Sequence, residues 1–266
     1  MKAGFVQYAP EFCDLSANIE KLSGLLNSTT QADLLVLPEL CNSGYNFASK
    51  EQAFNSAEDI AKSDFIKLLV ERCKEKSMYI VSGFNEKDED KIYNTSVLIG
   101  PEGYIGKYRK IHLFNNEKSF FTPGPGELPV FDTDIGKIAM LICFDWVFPE
   151  VWRIAALKGA EIVAHPSNLV LPGFAQRSVP VHALINRYFV ITANRIGTER
   201  DVTFTGMSTI ADPKGNVLHQ ANADTPVVVA VDFDLQMAAD KMITPRNHVL
   251  NDRRPELYRQ LFSEVS

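Results

Sequence analysis

The chain has no block rich in lysine or arginine, and its formal net charge is -6 over 266 residues. Both features count against nucleic acid or an anionic membrane surface as a partner. No apolar run approaches the length of a bilayer span, and the one within the opening MKAGFVQYAPEF is too short for a signal peptide. The four cysteines, at 13, 41, 73 and 143, lack CxxC spacing. They read as free thiols in a reducing cytoplasm rather than as a disulfide frame. The five histidines (112, 165, 182, 219 and 248) show neither HxxxH nor HExxH spacing, so no metal site is expected. Neither GxGxxG nor GxxxxGKS/T occurs to cradle a phosphate, and no cofactor is expected. No Gly/Ser tract or proline-rich linker divides the chain, so 1–266 reads as one domain.

What is present is ample core material, 45% hydrophobic against 23% charged. GFVQY (4–8) and LLVLPE (34–39) read as strands, with a helix between them capped by Ser16 and carrying Ile19, Leu22 and Leu26 at helical spacing. Ser63 opens a second helix with Phe65, Leu68, Leu69 and Cys73 near one face. YIVSGF (79–84), SVLIG (96–100) and YIGKYRK (104–110) follow as strands, the last two joined at a PEG turn. The second half repeats this order. KIAMLIC (137–143) precedes a helix with Pro149 in its first turn and Gly159 at its close. EIVAHPS (161–167), a helix near 180–188 and FVITANR come next, then a hairpin around a Pro-Lys-Gly turn. ADLLVLPE pairs with AEIVAHPS, and LIGPEGYIG with TIADPKGNV. The pseudo-repeat implies an α/β fold of two similar sheets packed face to face with helices outside both, a four-layer αββα sandwich with internal pseudo-twofold symmetry. A single doubly wound sheet fits less well, because the two hairpins make much of the sheet antiparallel.

Glu39, Lys110 and Cys143 stand where apolar or basic strands end, which is where α/β folds present side chains to ligands. Each has an ordinary explanation when taken singly. Free cysteine is a common core residue, a strand-end glutamate usually faces water, and Lys110 has Lys107 and Arg109 as solvated neighbours. Against these, the helix that starts near Pro149 offers N-terminal amides that favour a thiolate at Cys143. The apolar and small residues of LPELCNSGY would raise the carboxyl pKa of Glu39 toward that of a useful base. Alternation along the strand also keeps the cations of KYRK from all sharing one solvated face. Together the three would form a site for acyl transfer to a thiol, although spacing alone does not bring them together.

LVLPEL (35–40), GKYRKIHLF (106–114) and ICFDWVFPE (142–150) resemble, in order and spacing, the three signature blocks of the nitrilase superfamily, the carbon–nitrogen hydrolases. The resemblance covers essentially the whole chain, down to AHPSN (164–168) and ITANRIG (191–197). It implies an αββα sandwich that usually dimerises. It further implies Glu39 as general base, Lys110 as oxyanion stabiliser, Cys143 as nucleophile and Glu117 as a second, positioning glutamate. The backbone N–H of Phe144 would complete the oxyanion hole. The reaction implied is attack on an amide, release of ammonia, and hydrolysis of a thioester, with no metal.

Some carbon–nitrogen hydrolases for acidic amides or carbamoyl amino acids carry arginine shortly after the nucleophile, whereas this chain has Asp145-Trp146-Val147. Small neutral amides are therefore expected, in a pocket lined by Tyr45, Phe144, Trp146 and Asn168. Trp146 could equally be core packing. True nitrilases usually show Trp-Glu after the nucleophile, where Phe144-Asp145 stands here. That favours an amidase, with small nitriles or an omega-amidase or N-carbamoyl amine hydrolase activity as alternatives. A binding protein on an inactive hydrolase fold would lack a triad member. A metal-dependent phosphoesterase would need ligand clusters, and Asp132/Asp134 and Asp232/Asp234 read as turn or surface acids. The stretch 251–266 could be a dimer-contact tail or a solvated end.

Overall fold

The computed structural model describes residues 1–27 and 31–263. The first half runs β1 (Lys2–Gln7), α1 (Leu15–Asn27), β2 (Leu34–Val36), α2 (Lys50–Asn55), α3 (Asp64–Lys76), β3 (Tyr79–Asp88), β4 (Lys91–Gly100), β5 (Gly103–Arg109) and α4 (Glu117–Phe120). The second runs β6 (Val130–Thr133), β7 (Gly136–Met140), a 3₁₀ turn (Cys143–Val147), α5 (Pro149–Leu157), β8 (Ile162–Ser167), α6 (Phe174–Asn186) and β9 (Phe189–Asn194). A small ribbon of β10 (Thr198–Glu199) and β11 (Val202–Thr203) precedes β12 (Thr209–Ala211), β13 (Val217–Gln220) and β14 (Val227–Asp232).

Two six-stranded sheets result, ordered β14-β1-β2-β3-β4-β5 and β6-β7-β8-β9-β12-β13. Along both, the pairings run antiparallel, parallel, parallel, antiparallel, antiparallel. The repeat expected from sequence is thus present as strand order and sense: β2 corresponds to β8, and the β4–β5 hairpin to β12–β13.

Side-chain alternation builds the layers. Phe5, Val36 and Val81 point from the first sheet into a core shared with Ile138, Ile162 and Ile191 of the second. Their neighbours Val6, Leu35 and Ile80 point the other way, onto Leu22 and Leu26 of α1 and Phe65 and Leu69 of α3. Val163 points to the other face of the second sheet, where Trp152 of α5 and Val179 of α6 extend the same buried cluster and cover that sheet. Each fully buried aliphatic or aromatic side chain of this kind contributes roughly 1.5–3 kcal/mol.

Three sequence-based boundaries move. The helix expected to be capped by Ser16 starts at Leu15, and Asp14 caps it, its Oδ1 accepting from the Ala17 N–H at 2.9 Å. The helix placed near 180–188 begins at Phe174 and carries Pro180 inside it, because burial of Ala175, Val179 and Ala183 outweighs the lost backbone donor. Pairing of β7 ends at Met140, so Cys143 lies beyond the strand, in the 3₁₀ turn. Of the suggested tail, residues 264–266 lie outside the described residues, while Leu257 and Leu261 are exposed. Among the described residues no helix is long and apolar enough to cross a membrane.

Gly4, in the middle of β1, has no room for a side chain, since a Cβ there would stand 1.7 Å from the Val229 carbonyl oxygen of β14. Gly4→Ala is expected to force β1 and β14 apart and to destabilise the protein by at least about 1–3 kcal/mol, the usual range for overpacking. Denaturant unfolding checks this, and an unchanged midpoint refutes it.

Candidate active site

The chain leaves β2 through Pro38, and Glu39 follows on a backbone that crosses β3 at Gly83. A Cβ on Gly83 would lie 2.3 Å from Glu39 Cα, so glycine is required for this approach. Leu40 takes a left-handed conformation, φ 51°, and the Asn168 side-chain amide donates to the Glu39 carbonyl at 3.0 Å. The carboxyl group is fully buried. Its Oε1 accepts from Asn94 Nδ2 at 2.6 Å and from Lys110 Nζ at 2.7 Å, while its Oε2 has no protein partner.

Lys110 is the residue after β5, held by its N–H to the Asn94 carbonyl at 2.8 Å. Alternation separates it from its basic neighbours. Lys107 and Arg109 both turn to the buried carboxylate of Glu86, and Arg109 also reaches Asp88 at 2.6 Å. The Lys110 ammonium points inward and is wholly enclosed between Glu39 and Glu117, 2.8 Å from the latter's Oε1. Burial disfavours its charge, but the two carboxylates and Cys143 more than offset this, so its pKa is raised. Glu117 sits buried at the start of α4, and its Oε2 accepts from the Phe114 N–H at 3.0 Å. Burial raises its pKa to about 7, against the opposing pull of Lys110.

Cys143 is buried and adopts φ 41°, left-handed and sparsely populated for a non-glycine residue. Asp145 braces this elbow from within: its N–H donates to the Ile142 carbonyl at 3.0 Å, and its Oδ2 accepts from the Ile142 N–H at 2.8 Å. The same carboxylate takes the Tyr108 hydroxyl at 2.9 Å and approaches His112 Nδ1 at 2.7 Å. On the far side, buried His165 places Nε2 2.9 Å from the Cys143 carbonyl. The sequence argument expected helix amides to favour the thiolate. The net direction is opposite: burial first, then Glu39 and Glu117, push the thiol well above its usual value, with Lys110 and the Asn168 N–H pulling down. A single short turn of amides does not outweigh a desolvated site holding two carboxylates.

The expected pocket residues separate. Tyr45 is half-buried beside Glu117, its hydroxyl pKa raised by burial and by the acids around it. It lines a cavity of about 80 Å³ with Phe114, Phe121, Val170 and Val202. Phe144 packs on Phe114, ring centres 5.0 Å apart, at the same end of the site. Trp146 instead packs edge-on against Phe174 of α6, and its carbonyl accepts from His182 at 2.9 Å. Asn168 spends its amide nitrogen on Glu39, leaving a buried, unpartnered Oδ1. A larger groove of about 1260 Å³ lies elsewhere, between α3 and the ends of β3 and β5.

Sequence reasoning missed Asn94, Gly83, His165 and the clamp on the Tyr45 loop. There Glu199 Oε2 accepts the N–H groups of Tyr45 and Asn46 at 2.9 and 2.8 Å, while Arg195 pairs with Glu199 and lies over Phe204. AHPSN and ITANRIG were legible as blocks, but neither revealed what its side chains hold.

A buried thiol, ammonium and carboxylate pair meet in one site between two sheets with helices outside, an arrangement suited to acyl transfer to a thiol. Residues 2–241 match the carbon–nitrogen hydrolase family, and the chain belongs to that family, within the nitrilase superfamily. It is 43% identical to a protein named nitrilase from Pyrococcus abyssi, over 97% of this chain and 99% of that one. Its fold is similar to that of a carbon–nitrogen hydrolase from Helicobacter pylori G27, with a TM-score of 0.88 and 26% identity over 99% and 98% of the two chains. It also resembles the amidase of Nesterenkonia sp. AN1, TM-score 0.81 and 25% identity over 98% and 99%, solved as a glutamine mutant with acrylamide added to the active-site cysteine.

His165 gives this site a measurable acid limit. Burial pushes its pKa down from 6.5 to about 4, and it stays neutral in the folded protein. The unfolded chain takes up this proton below about pH 6.5 and the folded one does not, so stability present above that pH is lost on acidification toward 4. The shift corresponds to a loss on the order of 3 kcal/mol. Unfolding midpoints across this window are expected to fall less steeply in His165→Gln; identical slopes refute it.

Proposed function

We propose that the protein is a cysteine-dependent amidase that converts small neutral amides to the carboxylic acid and ammonia. The observation that carries this reading is the buried, unpartnered Oε2 of Glu39 in a site shared with Lys110 and Cys143. A carboxylate oxygen free of other duties suits a base that must take and return a proton.

The resting thiol is protonated, so Glu39 removes its proton as sulfur attacks the amide carbon. The carbonyl oxygen becomes an oxyanion held by the Lys110 ammonium and by the Phe144 N–H, which precedes the first hydrogen bond of the 3₁₀ turn. Glu39 then hands the proton to the amide nitrogen, the C–N bond breaks, and ammonia departs. Water adds to the thioester with Glu39 as base, and the C–S bond breaks to return the thiol. Glu117 orients Lys110 and keeps its charge compensated. The cavity beside Tyr45 and Glu117 is small and mostly apolar-walled, and no arginine lines it, which suits a short neutral acyl group. The name of the Pyrococcus abyssi relative favours a second reading, in which a small nitrile passes through a thioimidate at the same cysteine.

The four cysteines are free, in keeping with a reducing cytoplasm. Exposed Ile154 and Leu157 of α5 with Val181 and Leu184 of α6 give an apolar face suited to a second copy of the chain. A light-scattering mass of one subunit would remove that homodimer.

Ammonia release from propionamide, propionitrile and succinamate separates the substrate readings, with propionamide expected to be fastest. Preference for succinamate overturns the neutral-acyl assignment, and turnover of propionitrile alone replaces amidase with nitrilase. Cys143→Ala is expected to lower the rate at least about 10³-fold, and Glu39→Gln at least about 10²-fold, with folding retained.

A further inference from the structure

We propose that His165 is a positioning residue of the oxyanion hole, acting through the peptide bond that joins Cys143 to Phe144. This rests on the amidase reading above, which gives the Phe144 N–H its role.

The argument begins with peptide geometry. In a planar trans peptide the C=O and the N–H point in opposite directions, so fixing one fixes the other. The Cys143 carbonyl lies 2.9 Å from His165 Nε2, wholly inside the protein. A carbonyl oxygen only accepts, so Nε2 carries the hydrogen. His165 Nδ1 then accepts, and the Thr192 hydroxyl stands 3.0 Å from it. With both nitrogens engaged, the imidazole is held as one neutral tautomer, and Trp152 packs edge-on against its face with centres 5.3 Å apart.

The need for such a brace follows from the backbone. Cys143 sits at φ 41°, a conformation that relaxes unless its surroundings hold it. Asp145 secures the two peptides before Cys143, its carboxylate accepting the Ile142 N–H and its own N–H donating to the Ile142 C=O. Nothing in that pair fixes the peptide after it. His165 does so, and it directs the Phe144 N–H away from itself. Its hydrogen bond also polarises the peptide, which strengthens that N–H as a donor. β8 carries His165, and β9 carries Thr192, so the brace stands on the two parallel strands at the centre of the second sheet.

The test compares two amides of different reach. Glutamine at 165 can place its nitrogen near the position of Nε2, whereas asparagine ends near Nδ1 and falls short of the carbonyl. His165→Asn is expected to lose about 100-fold in kcat with little change in KM, the loss typical of one oxyanion donor, and His165→Gln to recover at least about tenfold of it. Inhibition by propionaldehyde, whose thiohemiacetal oxygen occupies the oxyanion position, is expected to weaken in parallel with kcat. Alkylation of Cys143 by iodoethane develops no oxyanion and is expected to change by less than about threefold. Equal kcat in the two variants, or alkylation that falls along with kcat, overturns the proposal. If Cys143→Ala also retains wild-type turnover, the amidase reading itself has failed; if Cys143→Ala is inactive, only the role of His165 has.

Discussion

An ammonium ion with no access to water is sustainable only where opposite charge surrounds it, and the enclosure of Lys110 by Glu39 and Glu117 sets the terms for everything nearby. Removing one partner from such a pair typically costs about 3–5 kcal/mol, because the remaining charge stays desolvated. Two carboxylates around one ammonium leave a negative excess, and a neighbouring thiolate would add to it. Burial above all, with Glu39 adding to it, raises the pKa values of both Glu117 and Cys143. The site therefore rests with a proton on the thiol. At Glu39, one oxygen is tied to Asn94 and Lys110, and the other is left open.

Holding these groups at such distances falls to the backbone. Glu39 and Cys143 each lie next to, or at, a left-handed residue just beyond a strand, and each main-chain carbonyl there is tied by a side chain from the β8 region, Asn168 and His165 respectively. One short stretch at the end of β8 thus fixes the main chain at both Glu39 and Cys143. The block AHPSN acquires a physical meaning from this, as a pair of carbonyl anchors three residues apart.

Much of this was legible in the sequence. Strand ends followed by Glu39, Lys110 and Cys143 stood out because apolar runs stopped at reactive groups, and the family resemblance gave those residues their roles. The repeated order of strands, helices and hairpins gave the two sheets. What stayed hidden depended on contacts between distant segments. Asn94 reaches Glu39 across 55 positions, and Glu199 holds the Tyr45 loop from 154 positions away. Trp146 reads equally as pocket wall or as packing, and the contact it makes with Phe174 of α6 was not visible in the sequence. The thiol was expected to be acidified because helix amides are visible as a sequence pattern, whereas desolvation is a property of the assembled site.

The two sheets are built alike, yet their contributions to the site are unlike. Glu39, Lys110 and Glu117 come from the first half of the chain, and Cys143, His165 and Asn168 from the second. A molecule in which only one sheet has formed holds Cys143 without Glu39 and Lys110, or those two without Cys143. The burial and the carboxylates that raise the Cys143 pKa therefore exist only once both halves are in place. The same strand order occurs twice, and the candidate site forms only where the two halves meet.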